Sequence, residues 1–233
     1  MRLLNNLYVL TGPAFGTLSH VYAIKYSDGL VFIDAGMKDE SLPQIEKHLA
    51  YWELAEEEVS HVLITHGHWD HAGLAAYYRE KGALVAVHRA DREIIENGRP
   101  PAGDPLQITW PPCRADIVLD GNGKLSIAEL TFEVIHVPGH TPGSVIYRIT
   151  LDGRDVWFIG DFLPPDGRPE HNHKHGWTGD IRFSSRDYIE SFKKLARMQP
   201  DCVLAGHGYI RMDGCEDLFK QAYADILLAW PCR

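Results

Sequence analysis

Apolar and polar positions alternate along this chain in short blocks, and four of the apolar blocks end alike. VLIT runs into His66-Gly67-His68-Trp69-Asp70-His71, FEVIHVPG into His140, VWFIG into Asp161 and CVLAG into His207. A short apolar run bounded by Gly predicts a buried strand. Polar residues set just past several such strands converge on one edge of a sheet, a common position for a ligand. VYAIKY and LVFID, joined through Ser27-Asp28-Gly29, predict a hairpin within an all-strand stretch over residues 1–34. Helices are expected near Leu42–Tyr51, Ala72–Lys81 and Ala90–Glu96, with ALVAVH (83–88) a strand between the last two. From Ile117 to Gly160 the pattern is mostly strand, with turns at Asp120-Gly121-Asn122-Gly123 and Asp152-Gly153. Helices near Arg186–Met198 and Glu216–Leu228 flank the CVLAG strand. Strands, helices, strands and helices in that order predict an α/β fold, a four-layer αββα sandwich, as a single domain over residues 1–233.

Two segments break this rhythm. Asn97–Asp116 is Pro-rich, and Phe162–Ser185 carries His171, His173, His175 and Trp177. Loops of this length inside a compact domain tend to be functional. The second starts beside Asp161 and is expected to wall a substrate pocket. The three alternating histidines read first as a solvated His-rich loop and second as an extra metal site or proton relay.

Composition narrows the function classes. The chain has 45% hydrophobic residues and 32 acidic against 23 basic groups, a formal charge of −9. That balance disfavours a chain built to grip phosphate backbones. No uninterrupted apolar stretch of about 18 residues exists to span a membrane. The N-terminus reads as a first strand, not a signal peptide. Cys113, Cys202, Cys215 and Cys232 are scattered without a CxxC pair, which predicts free thiols and a cytoplasmic location. Gly12–Gly16 lacks the Lys of a phosphate-binding loop. The Asp120 turn has Lys124 and Leu125 where a calcium loop needs an oxygen ligand and Gly. The expected partner is a small-molecule substrate, with no nucleic acid and no membrane; a homodimer is compatible with the sequence.

Five His and two Asp remain, enough donors for two metal ions. His66 and His68 alternate on an extended segment, so both imidazoles can face one point. Asp70 and His71 follow where the chain should enter a helix, so the four can divide between adjacent ions. Nitrogen and carboxylate donors without a thiolate suit zinc, and also iron or manganese.

These motifs resemble the metallo-β-lactamase superfamily, in particular its dinuclear hydrolases such as glyoxalase II and the lactonases. The resemblance runs from LVFIDAG through THGHWDH, VPGHTPGS and FIGD to AGHG. It implies one ion on His66, His68 and His140, a second on Asp70, His71 and His207, and Asp161 bridging them. It further implies two divalent ions, zinc first, and cleavage of a lactone or thioester by a hydroxide the ions share. Such a pair lowers the pKa of water from 15.7 toward about 7, with Asp70 the catalytic residue steering the hydroxide or a proton. Asp34 and Thr141 are candidates to orient imidazoles from behind. His20, His48, His61, His88 and His136 read as ordinary core or surface histidines, and Tyr209 as packing after a strand.

Relatives carrying the same motif set the alternatives. A mononuclear iron persulfide dioxygenase would use only the positions of His66, His140 and Asp161. A nuclease would show a basic groove, and a non-catalytic binding module would have lost ligands. His71 and Asp161 set the chain apart from antibiotic-degrading relatives, which generally lack the bridging Asp. The 26 residues after His207 are too few for the helical domain that glyoxalase II uses for glutathione.

Overall fold

The computed structural model describes residues 1–163, 176–208 and 210–230. The first sheet contains β1 (Arg2–Leu4), β2 (Leu7–Val9), β3 (Tyr22–Tyr26), β4 (Gly29–Ile33), β5 (Val59–Leu63), β6 (Leu84–His88) and β7 (Ile117–Leu119), side by side in that order. Neighbours from β1 to β4 are antiparallel, and those from β4 to β7 are parallel. The direction changes where the connections lengthen. A tight turn joins β3 to β4, whereas parallel neighbours need crossovers. These carry α1 (Lys38–Tyr51), then α2 (Trp69–Ala72) and α3 (Ala75–Glu80), then α4 (Arg89–Asn97).

The second sheet holds β8 (Gly123–Ile127), β9 (Leu130–His136), β10 (Val145–Leu151), β11 (Arg154–Gly160), β12 (Cys202–Ala205) and β13 (Ile210–Arg211), again in sequential order. Among the described residues only β11 and β12 are parallel within it, and α5 (Ser185–Leu195) lies in their crossover. After β13 comes α6 (Leu218–Ala229).

The period-2 alternation of the strands builds the layers. Val31, Ile33, Tyr22 and Ile24 face Phe132, Tyr147, Val156 and Phe158 in the core between the sheets. Their chain neighbours Leu30, Phe32 and Ala23 turn outward onto Ile45, Ala75, Ile94 and Ile95 from the helices. In the second sheet Trp157 and Ile159 turn outward onto Tyr188 and Phe192 of α5 and Phe219 of α6. Strands covered on both faces explain the nearly unbroken apolar runs. The four-layer αββα sandwich is thus present.

Several boundaries differ from expectation. α1 starts at Lys38, four residues before Leu42, and carries Pro43 within it; the Ser41 hydroxyl accepts from Met37 N at the helix start. The single helix expected at Ala72–Lys81 is two, interrupted at Gly73-Leu74. A Cβ on Gly73 would stand 2.5 Å from the Trp69 carbonyl oxygen and 2.8 Å from that of Gly36. Close approach of the exit from β4 therefore breaks the helix. Residues 98–116 form no helix or strand, as expected. No helix among the described residues is long and apolar enough to cross a membrane. Cys113, Cys202 and Cys215 are buried free thiols; Cys232 lies outside the described residues.

Candidate metal centre

All seven expected donors meet at one end of the sandwich. His66 and His68 follow β5, Asp70 and His71 sit on α2, His140 lies between β9 and β10, and Asp161 and His207 follow β11 and β12. The floor beneath them is tight. A Cβ on Gly206 would fall 2.5 Å from both Asp161 Oδ1 and His71 Cε1, so only glycine fits before His207.

The donors form two groups. His66 Nε2, His68 Nδ1 and His140 Nε2 lie 3.0, 3.1 and 3.3 Å apart pairwise. In the second, His207 Nε2 is 3.0 Å from Asp70 Oδ2 and 3.2 Å from His71 Nε2. Asp161 stands between them. Its Oδ2 is 3.6 Å from His140 Nε2 and 3.3 Å from His207 Nε2, and its Oδ1 is 3.1 Å from His71 Nε2. Yet Asp161 Oδ1 is buried without an acceptable hydrogen bond.

The outer nitrogens decide what the inner ones can do. His71 Nδ1 donates to Asp34 Oδ2 at 2.8 Å, His140 Nδ1 to the Trp177 carbonyl at 2.8 Å and His207 Nδ1 to the Leu18 carbonyl at 3.0 Å. His68 Nε2 donates to Asp180 Oδ2 at 2.9 Å. His66 Nδ1 donates to Thr65 Oγ1 at 3.1 Å, whose own proton goes to Asp34. Each neutral ring has one N–H, so once His71 and His207 give up their extra protons all five inner nitrogens present lone pairs to the centre. Tetrahedral zinc with Zn–N of about 2.0–2.1 Å places ligand nitrogens about 3.3 Å apart. Convergent lone pairs at that spacing, beside an orphaned carboxylate oxygen, fit divalent cations.

The metallo-beta-lactamase superfamily profile matches residues 14–207. The chain belongs to this superfamily. Among metallo-beta-lactamase relatives, a probable metallo-hydrolase of Bacillus subtilis, YqgX, is 28% identical, covering 82% of this chain and 85% of its own. The acyl-coenzyme A thioesterase MBLAC2 of Gallus gallus is 26% identical over 94% of this chain and 82% of its own. The crystal structure of BJP-1, a subclass B3 metallo-beta-lactamase of Bradyrhizobium japonicum, superposes with a TM-score of 0.77 at 22% identity, over 98% of this chain and 93% of that one. It shares the fold.

Of the two residues expected to orient imidazoles, Asp34 does so and Thr141 does not. Thr141 Oγ1 donates to Asp91 Oδ2 at 2.6 Å and meets Ser144 Oγ at 2.9 Å. Its hydroxyl is drawn to the buried Asp91 carboxylate on α4, away from the rings. His20 behaves as a satisfied core histidine, with Nδ1 on the Ala205 carbonyl at 3.0 Å, and His88 stacks on His136 at 3.9 Å. His171, His173, His175 and Tyr209 lie outside the described residues. The sequence reading missed Asp180, Asp91, Arg182 and the Leu18 carbonyl. Nothing local marks them.

Charge is unevenly distributed within this site. Burial pushes His66 well below its ordinary pKa, and His140 down to about 4. Burial also disfavours charge on His71 and His207, but the surrounding carboxylates, Asp161 first and then Asp70, together outweigh it. His71 ends well above its usual value and His207 rises to about 10. Burial would raise Asp161, yet His207 and His71 hold it well below the carboxylate range. Protons thus sit on the Asp70–His71–His207 side, and cation binding there must displace them.

A cavity of about 280 Å³ opens onto the centre. Leu18, Trp69, Ile94, Leu106, Trp110 and Trp177 supply apolar walls, with Asp70, Asp161 and His207 at the reacting end. Both irregular segments contribute: Pro100, Asp104, Leu106 and Trp110 from one, Trp177, Asp180 and Arg182 from the other.

Proposed function

We propose that this chain is a dinuclear metallohydrolase that cleaves an ester-like bond, a thioester or lactone, in a small molecule. The observation that carries the reading is the set of five imidazoles, each held at its outer nitrogen by a hydrogen bond and with its inner nitrogen gathered with Asp70 and Asp161 at one centre. His66, His68 and His140 would hold one ion, Asp70, His71 and His207 the other, and Asp161 would serve both. Two divalent ions there, zinc before iron or manganese, would supply Lewis acidity toward a carbonyl and an activated water at neutral pH.

The chain's own residues supply the rest. Asp70 and Asp161 line the cavity, so Asp70 can carry a proton toward a departing alkoxide or thiolate. The apolar walls suit the acyl side of a substrate and exclude bulk water. Likeness to a protein described as an acyl-coenzyme A thioesterase favours thioesters.

The test is elemental analysis paired with turnover of thioesters, lactones, phosphodiesters and a chromogenic cephalosporin. Two ions per chain and hydrolysis confined to thioesters or lactones are expected. His68→Ala and Asp161→Ala are expected to lose bound metal and turnover with nearly native circular dichroism; full activity in either refutes the roles. One iron per chain, with oxygen consumed alongside a persulfide, would instead establish the mononuclear dioxygenase.

A further inference from the structure

Residues Trp177–Arg182 form no helix or strand and belong to no motif, yet they grip two of the three imidazoles in the first donor group. The Trp177 carbonyl holds His140, and Asp180 holds His68. His68 is the exceptional ring. The other four direct Nε2 inward and are held at Nδ1, beside the backbone. His68 directs Nδ1 inward and is held at Nε2, the far end of the ring. A contact at the far end controls ring rotation with the longest lever, and among the described residues no hydrogen bond nearer the backbone duplicates it.

Asp180 is itself firmly placed. It is 4% exposed. Its Oδ1 accepts from Arg182 N at 2.6 Å, and its Oδ2 from Arg182 Nη2 at 2.7 Å. Arg182 Nη1 then donates to Asp91 Oδ1 at 2.8 Å, and Asp91 Oδ2 accepts from Gly67 N at 2.8 Å. Gly67 adjoins His68. Hydrogen bonds therefore run in a closed circuit from His68 through Asp180, Arg182 and Asp91 to Gly67 and back through the chain. The arginine neutralises carboxylates that would otherwise be costly to bury.

We propose that Asp180 is a positioning residue that fixes the tautomer and angle of His68 for cation binding in the first group, with Arg182 and Asp91 acting through it. A carboxylate behind a ligating imidazole fixes its orientation and raises its basicity. The inference rests on the metal-binding part of the proposed function, not on the substrate.

The test is competition of zinc against a chelating dye on the whole protein, combined with imidazole ¹⁵N shifts of the chelator-treated protein. In wild type two zinc steps are expected, with His68 Nδ1 unprotonated. Asp180→Ala is expected to weaken one step by about 10–100-fold, to leave the other within about threefold, and to give His68 a mixture of tautomers. Asp180→Asn keeps an oxygen acceptor in the same shape, so an intermediate loss is expected, and it serves if the alanine variant fails to fold. Unchanged zinc steps and an unchanged His68 tautomer in both variants would overturn the proposal. So would equal weakening of both steps, with asparagine no better than alanine. Wild type that binds two zinc ions but cleaves no ester sinks the substrate reading alone; wild type that binds none sinks both.

Discussion

Asp34 adopts φ +61°, a left-handed conformation that costs a non-glycine residue on the order of 1–3 kcal/mol. The strain puts both carboxylate oxygens to use. Oδ1 accepts from Thr65 N at 2.7 Å, while Oδ2 takes the Thr65 hydroxyl and His71. Asp91 is the other carboxylate on which the site's surroundings depend. It is wholly buried and accepts from Gly67 N, Gly143 N, Thr141 and Arg182. Asp91→Ala leaves those donors and one edge of a partly buried guanidinium unpaired. The expected loss is about 3–5 kcal/mol, read by urea denaturation; a loss below about 1 kcal/mol would show that water replaces the carboxylate.

At the scale of elements, the break between α2 and α3 follows directly after Asp70 and His71. Ala35 N donates to the His71 carbonyl at 2.7 Å, and Leu74 N to that of Gly36 at 3.1 Å. Both bonds tie the broken helix to the exit from β4. Gly73→Ala would push a methyl group against two backbone carbonyls that cannot swing aside. Overpacking of this kind costs about 1–3 kcal/mol. The variant is therefore expected to melt earlier and bind less zinc, as read by calorimetry and metal titration. Helical patterning over residues 72–81 predicts one continuous helix, because it records only the chain's own face and not the approach of Gly36.

For the whole molecule, a vacated centre leaves carboxylates and imidazoles crowded together, so chelation is expected to lower the Tm with little change in circular dichroism. Each zinc ion present at a hundred times its Kd should restore about 2.7 kcal/mol. Acid sensitivity is expected from a group away from the candidate metal centre. Burial, with His136 stacked alongside, lowers His88 to about 4. Below about pH 6.5 the unfolded chain takes up a proton there that the folded chain refuses. Stability from this group is therefore complete above pH 6.5 and falls as pH drops toward 4. In the chelated protein, His88→Gln should flatten that part of the stability–pH curve; an unchanged slope would place the acid sensitivity elsewhere.

Sequence alone determined the succession of strands and helices, the layers and the seven candidate donors. Each is written locally, as period-2 apolar runs punctuated by glycine with a His or Asp just beyond. Tertiary structure alone decided what stands behind those donors. Asp180 lies 112 residues from His68, and Leu18 lies 189 from His207, so no spacing along the chain announces either contact. Thr141 was left open by the sequence for the same reason: its position beside His140 is local, but the carboxylate that captures it lies 50 residues away on α4. Apolar alternation needs only a residue's neighbours, whereas a buried hydrogen bond is settled by whichever distant partner the packed layers bring within 3 Å.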